Sequence, residues 1–256
     1  MRVVRFFVLL GLTAACSAAP DLPTADTMSF SAFSRGPQPN NTGGGATMNA
    51  DGATAAVGLV SVAVQAVLLT PRLIWLATVS ETPSHANGTW TWKKTMPFIG
   101  LETVLTATTE GDTVKTEMHV TGLRGDEQLE NFLWYSGSHS AGSGNWTFFS
   151  PEHGGSQALT VEWTRDDETH KRLVFTNVLE GNDGHNDTVT YSHQGDLMSM
   201  DVHDQHNSDG NSAEFSVVWN AASGAGRIDR VNGESACWDT IANGQFDMDT
   251  CPDPWP

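Results

Sequence analysis

The segment Ala53–Val79 constrains this chain more than any other. It reads ATAAVGLVSVAVQAVLLTPRLIWLATV, and Arg72 is its only charge. The 20 residues from Gly52 to Pro71 carry no charge at all. As a helix they measure ~30 Å, the thickness of a bilayer hydrocarbon core. A helix that is apolar all round belongs either in lipid or inside a protein core. Here the composition favours the core. Ala, Val, Thr and Ser outnumber Leu, Ile and Phe, Gln65 sits mid-run, and neither flank carries a cluster of Lys or Arg. Asp51 is placed to cap the start, and Pro71 to end or kink the helix near Thr70. The expectation is a buried helix over 53–79. A membrane span is one alternative. A pair of buried strands is the other, because Val57, Val60, Val62, Val64 and Val67 are strand formers.

Beyond Pro83 the period changes from helical to two. In GTWTWKK, Trp90 and Trp92 share a face and Thr89, Thr91 and Lys93 share the other. Similar runs follow: LETVLTATT, TVKTEMHV, ENFLWYSG, GNWTFFS, ALTVEWTR, KRLVFTNV, TVTYSH, LMSMDVHD, AEFSVVWN and GRIDRVN. Turn residues separate them, among them Glu110-Gly111-Asp112, Asp166-Asp167 and Gln194-Gly195-Asp196. Short connections place sequence neighbours side by side. One greasy face per strand requires a cover, and the apolar helix supplies it. The predicted fold is mainly β: an antiparallel up-and-down meander of about eleven strands, curled into a half-barrel or barrel around that helix. The recurring tryptophans, Trp92, Trp134, Trp146, Trp163 and Trp219, fall in phase with Val and Leu and read as core.

The N-terminus carries an address. Arg2 and Arg5 precede the uncharged run Phe6–Ala15, which ends in small residues before Cys16. A basic start, a short apolar run and a small-residue cut site make a secretory signal. The ending Leu12-Thr13-Ala14-Ala15-Cys16 resembles the lipobox of bacterial lipoproteins, with the leucine four residues before the cysteine and Thr13 in the more usual place. The resemblance covers residues 1–16 only. It implies cleavage before Cys16, lipid on its thiol and amine, and a protein held at a membrane outside the cytoplasm. The simpler alternative is cleavage after Ala15 or Ala19. With Cys16 lipidated, the remaining two of the three cysteines, Cys237 and Cys251, are left to form one disulfide. The resemblance further implies the outer membrane or cell surface, because Ser17 stands where Gram-negative lipoproteins kept at the inner membrane commonly have Asp. Ser17–Gly52 is rich in Ser, Thr, Asn, Pro and Gly without periodicity, and reads as a flexible tether of 16–52 ahead of a single domain, 53–256. The alternative is that Met28, Phe30 and Phe33 dock on that domain.

Charge and motifs narrow the function. The chain has 13 basic against 30 acidic residues, a formal charge of −17. Removing Arg2 and Arg5 with the signal leaves 11 against 30, or −19. Nucleic-acid partners are excluded, since phosphates call for Lys and Arg. No catalytic constellation is legible. Ser138, Ser140 and Ser143 flank His139 but lack a strand-to-helix elbow. Asp201, His203, His206 and Asp209 offer a candidate zinc site in DVHDQHNSD, read against a solvated acidic turn. Asn182, Asp183, Asn186 and Asp187, and separately Asp247, Asp249 and Asp253, offer oxygens for calcium without EF-hand order. The residues point to a lipid-anchored envelope protein with a non-enzymatic binding or structural role and a hydrophobic ligand as cargo. A surface-polysaccharide-binding protein or hydrolase is the alternative.

Overall fold

The computed structural model describes residues 18–28, 48–124, 127–167, 169–204, 214–230, 233–241, 244–248 and 251. One helix, α1 (Met48–Val79), precedes fourteen strands. The strands are β1 (Ser84–Ala86), β2 (Thr89–Met96), β3 (Leu101–Glu110), β4 (Thr113–Arg124), β5 (Glu127–Ser140), β6 (Ser143–Ser150) and β7 (Ser156–Arg165). They continue with β8 (His170–Asn177), β9 (Thr188–Gln194), β10 (Leu197–His203), β11 (Phe215–Asn220), β12 (Gly226–Arg230), β13 (Ser235–Ile241) and β14 (Gly244–Met248). All fourteen form one antiparallel sheet whose spatial order is the chain order.

Alternation sorts the two faces. In β3, Leu101, Thr103, Leu105 and Ala107 are buried, while Glu102 is exposed and Val104, Thr106 and Thr108 are half-buried. The same parity runs through Met118, Tyr135, Trp146, Val161, Phe175, Tyr191, Met200, Val217 and Ile228, all buried on the inner face. Hairpins set the register. Asn87 and Gly88, at φ 52° and 77°, give the β1–β2 hairpin the doubly left-handed turn that an Asn-Gly pair favours.

The meander and its helical cover are as expected, with two differences. The sheet has fourteen strands rather than about eleven: β1, β13 and β14 are added at its edges. It is also not closed into a barrel, since β1 pairs only with β2 and β14 only with β13 among the described residues. Eleven strands close comfortably round one central helix. Fourteen would enclose a wider lumen than one helix fills.

α1 crosses the sheet from end to end. Asn49 Nδ2 donates to the carbonyl of Cys237 on β13 (3.3 Å). Ser61 and Tyr191 on β9 share a buried hydroxyl hydrogen bond of 2.5 Å. Trp75 meets Trp146 on β6 edge-on at 5.0 Å and Tyr135 on β5 at 6.2 Å. Thr78 and Thr103 on β3 share a hydroxyl bond of 2.8 Å. From Asn49 to Thr78 the helix rises ~44 Å. The ten interstrand steps from β13 to β3 span ~48 Å. The helix therefore runs nearly perpendicular to the strands and ties the two halves of the sheet together.

Only one stripe of α1 is buried: Ala50, Ala53, Val57, Ser61, Leu68, Pro71, Ile74, Trp75 and Thr78. The expected buried helix thus buries one side. It also begins at Met48, ahead of Asp51, and continues through Pro71 rather than ending near Thr70. A proline in a helix interior costs about 3 kcal/mol. Burial of Leu68, Ile74 and Trp75 around it, worth about 1.5–3 kcal/mol each, offsets this.

Part of the segment expected as a tether is packed. Ala25–Met28 forms a 3-10 turn against α1, and Met28 is fully buried. Trp146 Nε1 donates to Thr27 Oγ1 at 3.1 Å. Phe30 and Phe33 lie outside the described residues.

Candidate ligand-binding surfaces on the helix side of the sheet

The outer face of the sheet is wet and polar, with Lys115, Glu117, Glu162 and Arg172 exposed. It carries a cleft of about 380 Å³ lined by Ser138, Asn145, Glu162, Thr164 and Arg172. Two others lie on the helix side. The first is a cleft of about 370 Å³ between α1 and the strands β5–β7. Val67 and Pro71 wall it from the helix, and Trp134, Phe148, Phe149 and Leu159 from the sheet. The polar side chains at its edge are Thr70, Ser150 and Glu152. It adjoins the outward side of α1. There Leu59, Val62, Val67, Leu69, Leu73 and Leu76 are 45–74% exposed. These side chains form a contiguous apolar surface rather than scattered leucines, of the kind at which ligands, membranes or other proteins dock.

The second cleft, of about 780 Å³, lies where Ala18–Pro23 passes the strand ends of β2, β4 and β5. His85 and Trp90 form one wall as a stacked pair, centroids 4.4 Å apart at 21°. Asp21 and Asp112 border it, and Trp163 lies at its base with a buried Nε1 that has no hydrogen-bond partner among the described residues. His139 Nε2 donates to the carbonyl of Asp21 (2.9 Å), which fixes the chain across this end.

Several of the residues singled out as chemical candidates have structural partners. Asp201 accepts a hydrogen bond from Ser216 Oγ at 2.6 Å, its register partner on β11. His203 Nδ1 pairs with Glu214. His206 and Asp209 lie outside the described residues. Among the described residues, no group of three or more His, Cys, Asp and Glu is placed to hold a metal ion. Asn182 Oδ1 accepts from the Gly184 amide (2.8 Å), closing its own loop. The side chain of Asp247, and the residues Asp249 and Asp253, are beyond what the structure describes. Ser138 bonds to Asn145 Oδ1 rather than to His139. Among the described residues, Asp167 is the one carboxylate held well below its ordinary range, first by the Thr169 hydroxyl and amide and then by His170. It is a solvent-exposed turn cap. Cys237 and Cys251 form a disulfide. Cys16 lies outside the described residues.

Both helix-side clefts escape a reading of the sequence, because each is made by a segment lying against strand neighbours far away in the chain. Only the all-round apolarity of α1 hinted at the first.

Comparison with protein families, with curated proteins and with solved structures finds no match to this chain.

Proposed function

We propose that this is a lipid-anchored envelope protein, held outside the cytoplasm through Cys16, that binds a hydrophobic ligand without transforming it. The supporting observation is the apolar cleft between α1 and β5–β7, open beside the exposed flank of α1. Its size and lining suit an acyl chain: aliphatic and aromatic walls, with a few polar groups at the edge to orient a headgroup. The test uses the mature chain without its lipid and a fluorescent fatty acid as probe. Binding should saturate at one probe per chain and weaken at least ~10-fold in Val67→Asp, which places a charge in the cleft at a site already 63% exposed. Equal binding by both proteins would sink the reading. The address is tested separately. Labelling with a palmitate analogue should mark the wild type and not Cys16→Ala, and fractionation should release the variant from the outer membrane.

A second reading, binding or hydrolysis of a surface polysaccharide, is favoured by the stacked His85–Trp90 wall and the two carboxylates at the larger cleft. An aromatic face stacks on a sugar ring, and a carboxylate pair is what glycosidic chemistry requires. Retention on immobilised polysaccharide that is lost in Trp90→Ala would favour this reading, and release of soluble sugar would favour the hydrolase form of it.

A further inference from the structure

The outward side of α1 is as apolar as the side it buries. Leu59, Val62, Val67, Leu69, Leu73 and Leu76 stand exposed along about five turns, and the one charge between Gly52 and Val79 is the half-buried Arg72. Water is a poor neighbour for this surface, and nothing else in the described fold covers it.

The described chain nearest to Cys16 lies on the same side. Residues 24–28 pack against α1 and the inner-face Trp146, and Ala18–Pro23 passes the inner-face residues Trp90, Val114 and Trp163. Cys16 precedes Ala18 by two residues, a reach of at most about 7 Å. A lipid on Cys16 therefore holds the helix side of the sheet against the bilayer, with no long tether between them.

We propose that in the lipidated protein the outward face of α1 lies in the interfacial layer of the membrane, with the outer face of the sheet turned to water. The proposal rests on the lipoprotein reading of Cys16. It also gives the acyl cleft a source, since the cleft adjoins the same face. The backbone polar groups of a helix are satisfied internally, so an apolar face can enter the acyl boundary without leaving them unpaired. The face carries no Lys or Arg. Docking is thus driven by apolar area, needs no anionic lipid, and is insensitive to salt.

The experiment uses the full mature chain, lipidated at Cys16 and reconstituted in phosphatidylcholine vesicles. With Cys237 and Cys251 in a disulfide, single cysteines at Leu59→Cys, Leu73→Cys and Val104→Cys each take one environment-sensitive fluorophore. The first two are exposed on α1, and the third lies on the opposite face of the sheet. Lipids carrying a nitroxide at the interface should quench the probes at 59 and 73 several-fold more than the probe at 104, at low and high salt alike. Equal quenching at all three positions overturns the proposal. So does shielding of the α1 probes in lipid-free solution by a chain that sediments as a dimer, which would assign the face to a second copy. So does quenching of the α1 probes from the far leaflet, which would make α1 a span. Failure of the premise is read independently: a chain that takes up no palmitate analogue at Cys16 lacks the anchor, whatever the quenching of a chain coupled chemically to lipid at that position.

Discussion

Trp238 on β13 lies across Gly226 on β12, its register partner: a Cβ at Gly226 would fall 2.2 Å from Trp238 Cζ2. The arrangement recurs. A Cβ at Gly137 would fall 2.4 Å from Trp146 Cε3, and one at Gly144 would fall 2.7 Å from Trp163 Cζ2, again between register partners. Indole rings on the inner face thus occupy the space that glycines leave on neighbouring strands, which packs the ring and shields the glycine backbone. Gly226→Ala should destabilise the fold by about 1–3 kcal/mol, since Val218 O also stands 2.7 Å from the added methyl. A urea midpoint equal to wild type would show that the ring can move aside.

The orientation of α1 makes a paired prediction. Trp75 is 2% exposed and packed on Trp146 and Tyr135, whereas Leu73 is 56% exposed. Trp75→Ala should cost about 3–5 kcal/mol. Leu73→Ala, two residues away, should stay within about 0.5 kcal/mol. Chemical denaturation of the lipid-free chain compares them. A reversed order would mean that the helix is rotated on the sheet.

Alkaline pH offers a third check. The chain has two tyrosines, and both are buried. Burial pushes Tyr191 up to about 12, partly countered by its hydrogen bond to Ser61. Burial alone raises Tyr135 well above its ordinary value. An unfolded tyrosine loses its proton near ~10. From there to about 12 the unfolded chain binds fewer protons than the native one, so stability falls as pH rises. Below that window the contribution is fully present. Native protein should show little tyrosinate absorbance at pH values where urea-unfolded protein shows both groups ionised. Coincident titrations of the two states would contradict the packing of these rings.

The disulfide fastens the sheet's last strands. Cys237 and Cys251 are 14 residues apart, and closing such a loop contributes about 3 kcal/mol in the chain-entropy model. Reduction, or Cys251→Ser, should lower stability by roughly that amount. Asn49 bonds to the Cys237 carbonyl, so the first turn of α1 should also lose amide protection in hydrogen exchange. Unchanged protection there would separate the helix start from the disulfide.

The alternating strands were legible because each buries one face, and period two is visible wherever that holds. β1 was not: its three residues are all exposed, and the Asn87-Gly88 turn beside it was the usable sign. β13 carries Cys237 within a strand that reads as a disulfide loop. The apolar helix was legible as an element, but not which side it buries. A helix apolar on every side contains no pattern to choose a face, and contacts with Tyr191, Trp146 and Thr103 make that choice. Asp201 and His203 read as metal ligands because the sequence places them together. Register brings Ser216 beside Asp201, and Glu214 pairs with His203.

The account turns on the cleft between α1 and β5–β7, and photo-crosslinking with a diazirine-bearing fatty acid tests it most directly. Peptide mapping by mass spectrometry should place saturable adducts on the segments that carry Val67, Phe149 and Leu159, with competition by unlabelled fatty acid. Adducts that do not saturate, or that spread over the polar outer face at Glu117 and Glu162, would contradict it.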